Sequence, residues 1–311
     1  MIIPPYTIVD EGTDLLWKQF AQTVQELNWN TDDHTVLGLL PTHFSTRCVF
    51  AQNDEDGSFL GCVVWNEYDE LAYLGFYIVA VSVRKCGLGT IMWTRALDRI
   101  RKTGLNLCLR SVPAMVSRYS AKDTPLEVSR MRKIVMTSLE MKEFCAKYPT
   151  SSGTVKLVSE LSEIEKVDLI RFDQEITGRD RSALLLPYLA HSCMEGAVIL
   201  NSDGKVDAWA AMTSTGFEKN HMCKLAPVYA SSLSEFATLT QKLIPFCERS
   251  SSDAKIMVQI LTSTVGEKEL ETSIGHPKGA DLVTLTSEPF VNKLNLDKCY
   301  VPHNHNAHFD A

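Results

Sequence analysis

From Asp14 to Asn28 apolar residues return every three or four positions, at Leu15, Leu16, Phe20, Val24 and Leu27. That period predicts an amphipathic helix, preceded by a short extended stretch from Tyr6 to Val9. His34 to Leu40 predicts a second, shorter helix that stops at Pro41, since proline has no N–H to continue it. The pattern then shifts to strands. Cys48 to Ala51 and Phe59 to Trp65 flank the polar turn Asn53-Asp54-Glu55-Asp56-Gly57, which predicts a hairpin. The apolar run from Leu71 to Val83 is long enough for a central strand buried on both faces. Thr90 to Lys102 is again helical, with Ile91, Met92, Leu97 and Ile100 on its apolar face and Gly104 placed to cap its end. Leu105 to Leu109 predicts a strand and Ala114 to Ser120 a helix. Arg130 to Lys147 reads as helical or mixed.

Pro149-Thr150-Ser151-Ser152-Gly153 has the composition of a linker, and beyond it the pattern repeats. Ala197 to Leu200, an Asp203-Gly204 turn and Ala208 to Ser214 predict a second hairpin. His221 to Ala230 matches the long strand, Leu233 to Ile244 the helix after it, and Ala254 to Leu261 the next strand. One feature is not repeated. Where the first half has Arg84-Lys85-Cys86-Gly87-Leu88-Gly89 between strand and helix, the second has Ala230-Ser231-Ser232-Leu233-Ser234, with neither glycine nor arginine.

Composition narrows the class. A chain of 311 residues suits two domains, and 45% hydrophobic with 22% charged residues is globular. A net charge of -7 argues against a nucleic-acid partner, which needs a basic surface, and is compatible with a cationic amine. No run reaches the ~18 apolar residues of a membrane span, and Met1-Ile2-Ile3-Pro4-Pro5 lacks the form of a signal peptide. The nine cysteines contain no CxxC pair, which points to reduced thiols in the cytoplasm or nucleus and away from structural zinc. His303, His305 and His308 read as a flexible polar C-terminal stretch, not a metal site.

The chemistry concentrates in the glycine loop. A helix start leaves about four N–H groups unpaired and carries partial positive charge. Glycines let a phosphate approach that backbone and permit the turns that aim several amides at one anion. A dinucleotide fingerprint would need a third glycine where Met92 and Trp93 stand, and a P-loop would need Gly-Lys-Ser/Thr.

Arg84-Lys85-Cys86-Gly87-Leu88-Gly89, after a long strand carrying Val79, resembles the coenzyme A loop of the GNAT superfamily of N-acyltransferases. The resemblance covers roughly residues 5 to 125, and Val81 stands where that family commonly has proline. It implies an α+β fold of the three-layer GNAT type: a mixed, mainly antiparallel sheet flanked by helices, with two GNAT-like domains in tandem. It implies that Cys86, Gly87, Leu88, Gly89 and Thr90 hold the pyrophosphate, helped by Arg84 and Lys85. Ile78, Val79, Ala80 and Val81 would bond the pantetheine and acyl carbonyl.

In this family a tyrosine on the helix after the fifth strand often protonates the leaving thiolate. Ser117-Arg118-Tyr119-Ser120-Ala121-Lys122 falls in that place, which makes Tyr119 the candidate acid. Two family features are missing: Val112 replaces the frequent asparagine, and Asp123-Thr124 replaces the closing Gly-Phe. The strand glutamate of some relatives is Tyr73 here, which leaves Glu70 as the nearby candidate base, beside a water relay or a group from the second half.

Asp173…Gly178-Arg179-Asp180-Arg181 before Leu184-Leu185-Leu186 resembles the start of the second module of tandem GNAT proteins of the YitH-like type; ordinary surface ion pairs explain the charges equally. The resemblance divides the chain into a coenzyme-binding catalytic domain, 1–149, and a degenerate GNAT-like domain, 150–311, that shapes the acceptor site. The activity it implies is transfer of acetyl from acetyl-CoA, without a metal, to a primary amine of a small molecule or amino acid. A glycine-conjugating type with longer acyl-CoA and a non-catalytic coenzyme-binding or protein-interaction GNAT fold are the alternatives.

Overall fold

Thr13 starts the first helix: its hydroxyl accepts the Leu16 amide at 3.3 Å and satisfies an otherwise orphaned N–H. The structure is a computed structural model in which residues 3–27, 29, 34–215, 221–249, 251–274 and 281–305 are described. Strand β1 (Tyr6–Val9) precedes helix α1 (Asp14–Glu26), which buries Leu16, Phe20 and Val24 and leaves Leu15 exposed. Asn28 lies outside the described residues. Helix α2 (His34–Leu39), the hairpin β2 (Thr46–Asn53) and β3 (Phe59–Tyr68), and β4 (Leu71–Val79) follow in the predicted order. The apolar run to Val83 does not stay extended: β4 ends at Val79, and Val81–Val83 makes one 3₁₀ turn. Helix α3 (Leu88–Thr103), β5 (Asn106–Ser111) and α4 (Pro113–Ser120) complete this run, and Ile91 proves exposed at 46%.

The region predicted as helical or mixed divides cleanly. Leu126–Thr137 is strand β6 and Ser138–Cys145 is helix α5, started by a reciprocal capping box between Thr137 and Glu140. β6 gives little hydrophobic signal because only Met131 and Ile134 are buried along it. Pairing on both edges holds it extended.

The second half repeats the plan with β7 (Thr154–Leu157), α6 (Glu163–Thr177), α7 (Ser182–Leu189), β8 (Met194–Leu200), β9 (Val206–Ser214), β10 (Met222–Tyr229), α8 (Leu233–Glu248) and β11 (Lys255–Leu261). Helix α9 (Val265–Ile274), β12 (Leu282–Thr286) and β13 (Cys299–Val301) follow.

Both halves share one sheet, in the order β1-β2-β3-β4-β5-β12-β6-β11-β10-β9-β8-β7, with β13 on β10. Only β4–β5 and β10–β11 run parallel among the described pairs. The register equates them, since Leu71 faces Asn106 and Met222 faces Lys255. Each half lends a strand to the other: β12 lies against β5, and β6 lies against β11. Residues 148–153 run between α5 and β7, where the sequence suggests a division, but backbone hydrogen bonds join the halves across the middle of the sheet. The clusters place α3, α4, α5, α8 and α9 on one face and α1, α2, α6 and α7 on the other. Among the described residues no helix is long and apolar enough to cross a membrane, and no disulfide joins the nine cysteines.

Candidate active site

At the end of β4 the chain turns through Lys85 (φ 64°) and Gly87 (φ 90°) into α3. A left-handed φ of this size favours glycine, which explains Gly87. No side chain caps the start of α3 and no acid lies in its first turn. This helix end therefore keeps its positive field. Ile3, Arg84, Lys85 and Cys86 line a cavity of about 520 Å³ beside it. Gly89 is needed for a different reason: a Cβ there would lie 2.4 Å from the Tyr77 hydroxyl and 3.0 Å from Val79 Cγ2. The residues predicted to hold coenzyme, from Ile78 to Thr90, thus form one continuous strip from strand end to helix start. Arg84 folds back within it and donates from Nε to the Val79 carbonyl at 3.0 Å.

Beside this strip the sheet splits. β4 and β5 pair from Leu71–Asn106 to Leu74–Leu109 and then part, which opens a gap between Gly75–Val79 and Arg110–Ser111. Tyr119, on α4, stands by this gap. Its ring stacks on Trp93 with centroids 5.2 Å apart, and Trp93 packs on Tyr77 at 5.1 Å. Trp93 Nε1 donates to Asp123 Oδ2 at 3.1 Å, and Asp123 also pairs with Arg101 at 3.2 Å. Burial pushes the Tyr119 phenol up to about 12, and the neighbouring Tyr77 adds to the shift. Burial raises Tyr77 as well. Tyr119 is thus a neutral hydroxyl at neutral pH, able to donate a proton. Trp93 and Tyr77 were not picked out from the sequence; the only available signal was an aromatic residue on a helix one turn beyond the glycine loop.

Glu70 lies elsewhere. It sits in the β3–β4 turn, seven residues before Tyr77, which is roughly 23 Å along an extended strand. Tyr119 and Glu70 are therefore not brought together. Glu70 accepts Arg179 Nη2 at 2.9 Å and Lys293 Nζ at 3.3 Å, and Arg179 also holds Asp69 at 2.6 Å. Burial acts to raise the Glu70 pKa, but the Arg179 hydrogen bonds and charge outweigh it and leave the carboxyl below its ordinary range. Tyr73 is buried on β4 with Tyr68, Leu71 and Cys108.

The charged run of the second half is not a set of surface ion pairs: Arg179 joins the two halves, and Asp173 and Arg181 pair within the second. Asp173, Arg179 and Arg181 are buried. Arg181 donates from Nε and Nη2 to the Asp173 carboxylate, both at 2.6 Å, and contacts His303 Nδ1 at 3.1 Å. His303 and His305 are likewise buried, against the expectation of a solvated polar tail. His308 lies outside the described residues.

The equivalent gap in the second half is closed. β10 and β11 part after Leu225–Val258, and β13 fills the opening: Val301 faces Val228 and Cys299 faces Tyr229 on β10. α9 closes over it so tightly that a Cβ on Gly266 would lie 2.0 Å from the Tyr300 carbonyl oxygen. The start of α8 is also occupied. Ser232 Oγ accepts the Glu235 amide at 3.3 Å, and the Glu235 carboxylate accepts the Ser231 amide at 2.6 Å. A protein carboxylate thus stands where the first half leaves its helix end open.

One open split beside an uncapped, glycine-entered helix, duplicated in a closed copy, can be set against known proteins. The pattern of the Acetyltransferase (GNAT) family matches residues 10–114. An uncharacterized protein of Caenorhabditis elegans is 31% identical over 304 residues, 96% of each chain. The chain belongs to the GNAT family. It does so in tandem form: a solved tandem GNAT protein of the clavulanic acid biosynthesis pathway superposes with a TM-score of 0.67 over 92% of this chain and all of its own, at 11% identity. A holothin acyltransferase of a Pseudoalteromonas species is 28% identical over 193 residues, 58% of each chain. In this GNAT chain the family match falls on the half with the open split.

Proposed function

We propose that this protein transfers an acetyl group from acetyl-CoA to a primary amine of a small molecule or amino acid. The observation that carries the reading is the asymmetry of the two splits, one open beside an uncapped helix and one filled by the chain's own β13. Residues 1–149 supply the coenzyme strip, and 150–311 the acceptor side, with one acyl-CoA bound per chain. The pyrophosphate rests on the amides from Cys86 to Thr90, and the strand end from Ile78 to Val81 orients the pantetheine and thioester carbonyl. The amine nitrogen attacks that carbonyl, the C–S bond breaks, Tyr119 gives its proton to the departing sulfur, and the nitrogen's second proton returns to Tyr119 through water as the amide forms. Holding both reactants at the split supplies much of the acceleration. The proton of the incoming ammonium passes to solvent through water, and Glu70 serves the join with Arg179. Cysteines without disulfides support a reducing compartment, the cytoplasm or nucleus.

Calorimetric titration of the full chain with acetyl-CoA, coenzyme A and NADH tests the reading. Saturable binding of acetyl-CoA at one site per chain, with no response to NADH, is expected. Two sites per chain, or none at high micromolar ligand, would refute it.

A further inference from the structure

Tyr77 has no part in the acyl-transfer steps, yet it reaches the coenzyme strip. It rises from β4 on the face of α3, half-buried, and its ring packs on Trp93 at 5.1 Å. Asp123 holds Trp93 in turn, accepting from its Nε1 at 3.1 Å, so the phenol has a fixed direction. That direction is toward the glycine loop. The Tyr77 oxygen lies 2.4 Å from the point that a Cβ on Gly89 would occupy, and the ring carbon that carries it lies 3.3 Å from the same point. The phenol therefore meets the first turn of α3 hydroxyl foremost, and glycine at position 89 makes room for it.

Among the described residues no hydrogen bond to that hydroxyl is seen, and the amides of Leu88 and Gly89, which open α3, have no partner there either. A side-chain O–H and two backbone N–H groups thus meet at a helix start that carries partial positive charge and no acid in its first turn. Burial raises the Tyr77 phenol, which keeps it a neutral donor at neutral pH, and the exposed Arg118 on α4 adds positive charge nearby. A phenylalanine would pack on Trp93 equally well; the oxygen adds a donor. The closed copy lacks that donor. Leu74 and Leu225 are matched by their pairing with β5 and β11, and they face Trp65 and Met212 on the preceding strands. Two positions along those strands, Val63 faces Tyr77 and Ala210 faces Val228. Val228, on the same face as Tyr77, is fully buried and pairs with Val301 of β13. The hydroxyl is present only in the half whose helix start is left open.

We propose that the Tyr77 hydroxyl donates a hydrogen bond to the coenzyme A diphosphate, as a side-chain ligand beside the backbone amides of the glycine loop. The inference rests on the coenzyme reading above and adds to that site a residue from the strand. A neutral O–H donor given to an anionic oxygen makes a shorter and stronger hydrogen bond than one given to a neutral acceptor. The stack on Trp93 sets the ring before the coenzyme arrives, so little side-chain freedom is lost on binding.

The test compares the full wild-type chain with Tyr77→Phe, by calorimetric titration with acetyl-CoA and by phosphorus NMR of bound acetyl-CoA. The substitution removes the oxygen and keeps the ring on Trp93, so the thermal melt should match that of the wild type. The Kd for acetyl-CoA should rise about tenfold, the worth of one hydrogen bond to a charged group. In the bound phosphorus spectrum the diphosphate signals should differ between the two proteins, while the signal of the ribose phosphate stays in place. A Tyr77→Phe chain that melts like the wild type and binds within about twofold of it would overturn the assignment, as would diphosphate signals that do not move. Failure of the wild-type chain to bind acetyl-CoA would instead refute the coenzyme reading beneath it.

Discussion

Tyr119→Phe separates chemistry from folding at the proposed site. The change removes one hydroxyl and keeps the ring that stacks on Trp93 at 5.2 Å. No hydrogen bond to that hydroxyl is seen among the described residues, so folding stability should change by less than about 1 kcal/mol. If the phenol protonates the leaving sulfur, its loss should cost roughly 10²- to 10⁴-fold in kcat, equivalent to about 3–5 kcal/mol of barrier. Acetyl-CoA affinity should stay within about twofold, since the coenzyme strip is untouched. The sign of the pH dependence follows from the shift. The acid form is the active one and is lost only as pH rises through about 12. The ratio of wild-type to variant rate should therefore be flat between about pH 7 and 10, whereas an acid of ordinary tyrosine pKa would make it narrow toward pH 10. The assay is chromatographic measurement of released coenzyme A across that range with one saturating amine. A variant within twofold of wild type would remove Tyr119 from proton transfer, and a ratio that narrows toward pH 10 would remove the buried, neutral phenol argued above.

Three further perturbations test the frame around this residue. Gly87→Val places a β-branched side chain at φ 90°, so acetyl-CoA affinity, read by calorimetry, should fall by about tenfold or more as the loop is forced to rearrange. Glu70→Gln should leave kcat unchanged and lower the melting temperature slightly, with less effect at high salt, because the carboxylate is partly exposed. Its pKa is depressed in the fold, so the stabilisation is present above the ordinary glutamate value and is lost as pH falls through the depressed one; the melting difference from wild type should close below about pH 4. Gly266→Ala drives a methyl against the Tyr300 backbone and should cost about 1–3 kcal/mol in denaturant unfolding; an unshifted midpoint would mean β13 does not fill the second split as described.

The parts legible in the sequence were those governed by local periods and short-range backbone demands. The stripe at Leu16, Phe20 and Val24, the hairpin around the Asn53–Gly57 turn, and the change from strand to helix across Gly87 and Gly89 each have a cause within a few residues. The lack of glycine before α8 also pointed to an altered loop, which the structure shows capped by Ser232 and Glu235. The rest depended on partners far along the chain. β6 looked helical or mixed because its stabilisation comes from β11 and β12 on its edges rather than from a buried face of its own. Arg179 looked like a surface charge because the carboxylate it meets, Glu70, is 109 positions away, and Arg181 because nothing within a few residues shows that its pair with Asp173 is buried. Burial of His303 and His305 follows from β13 entering a gap between strands of the same half. Periodicity specifies which face of an element seeks cover; which segment covers it, and so which of two similar splits stays open to a ligand, is settled only when the whole chain competes for the same backbone hydrogen bonds.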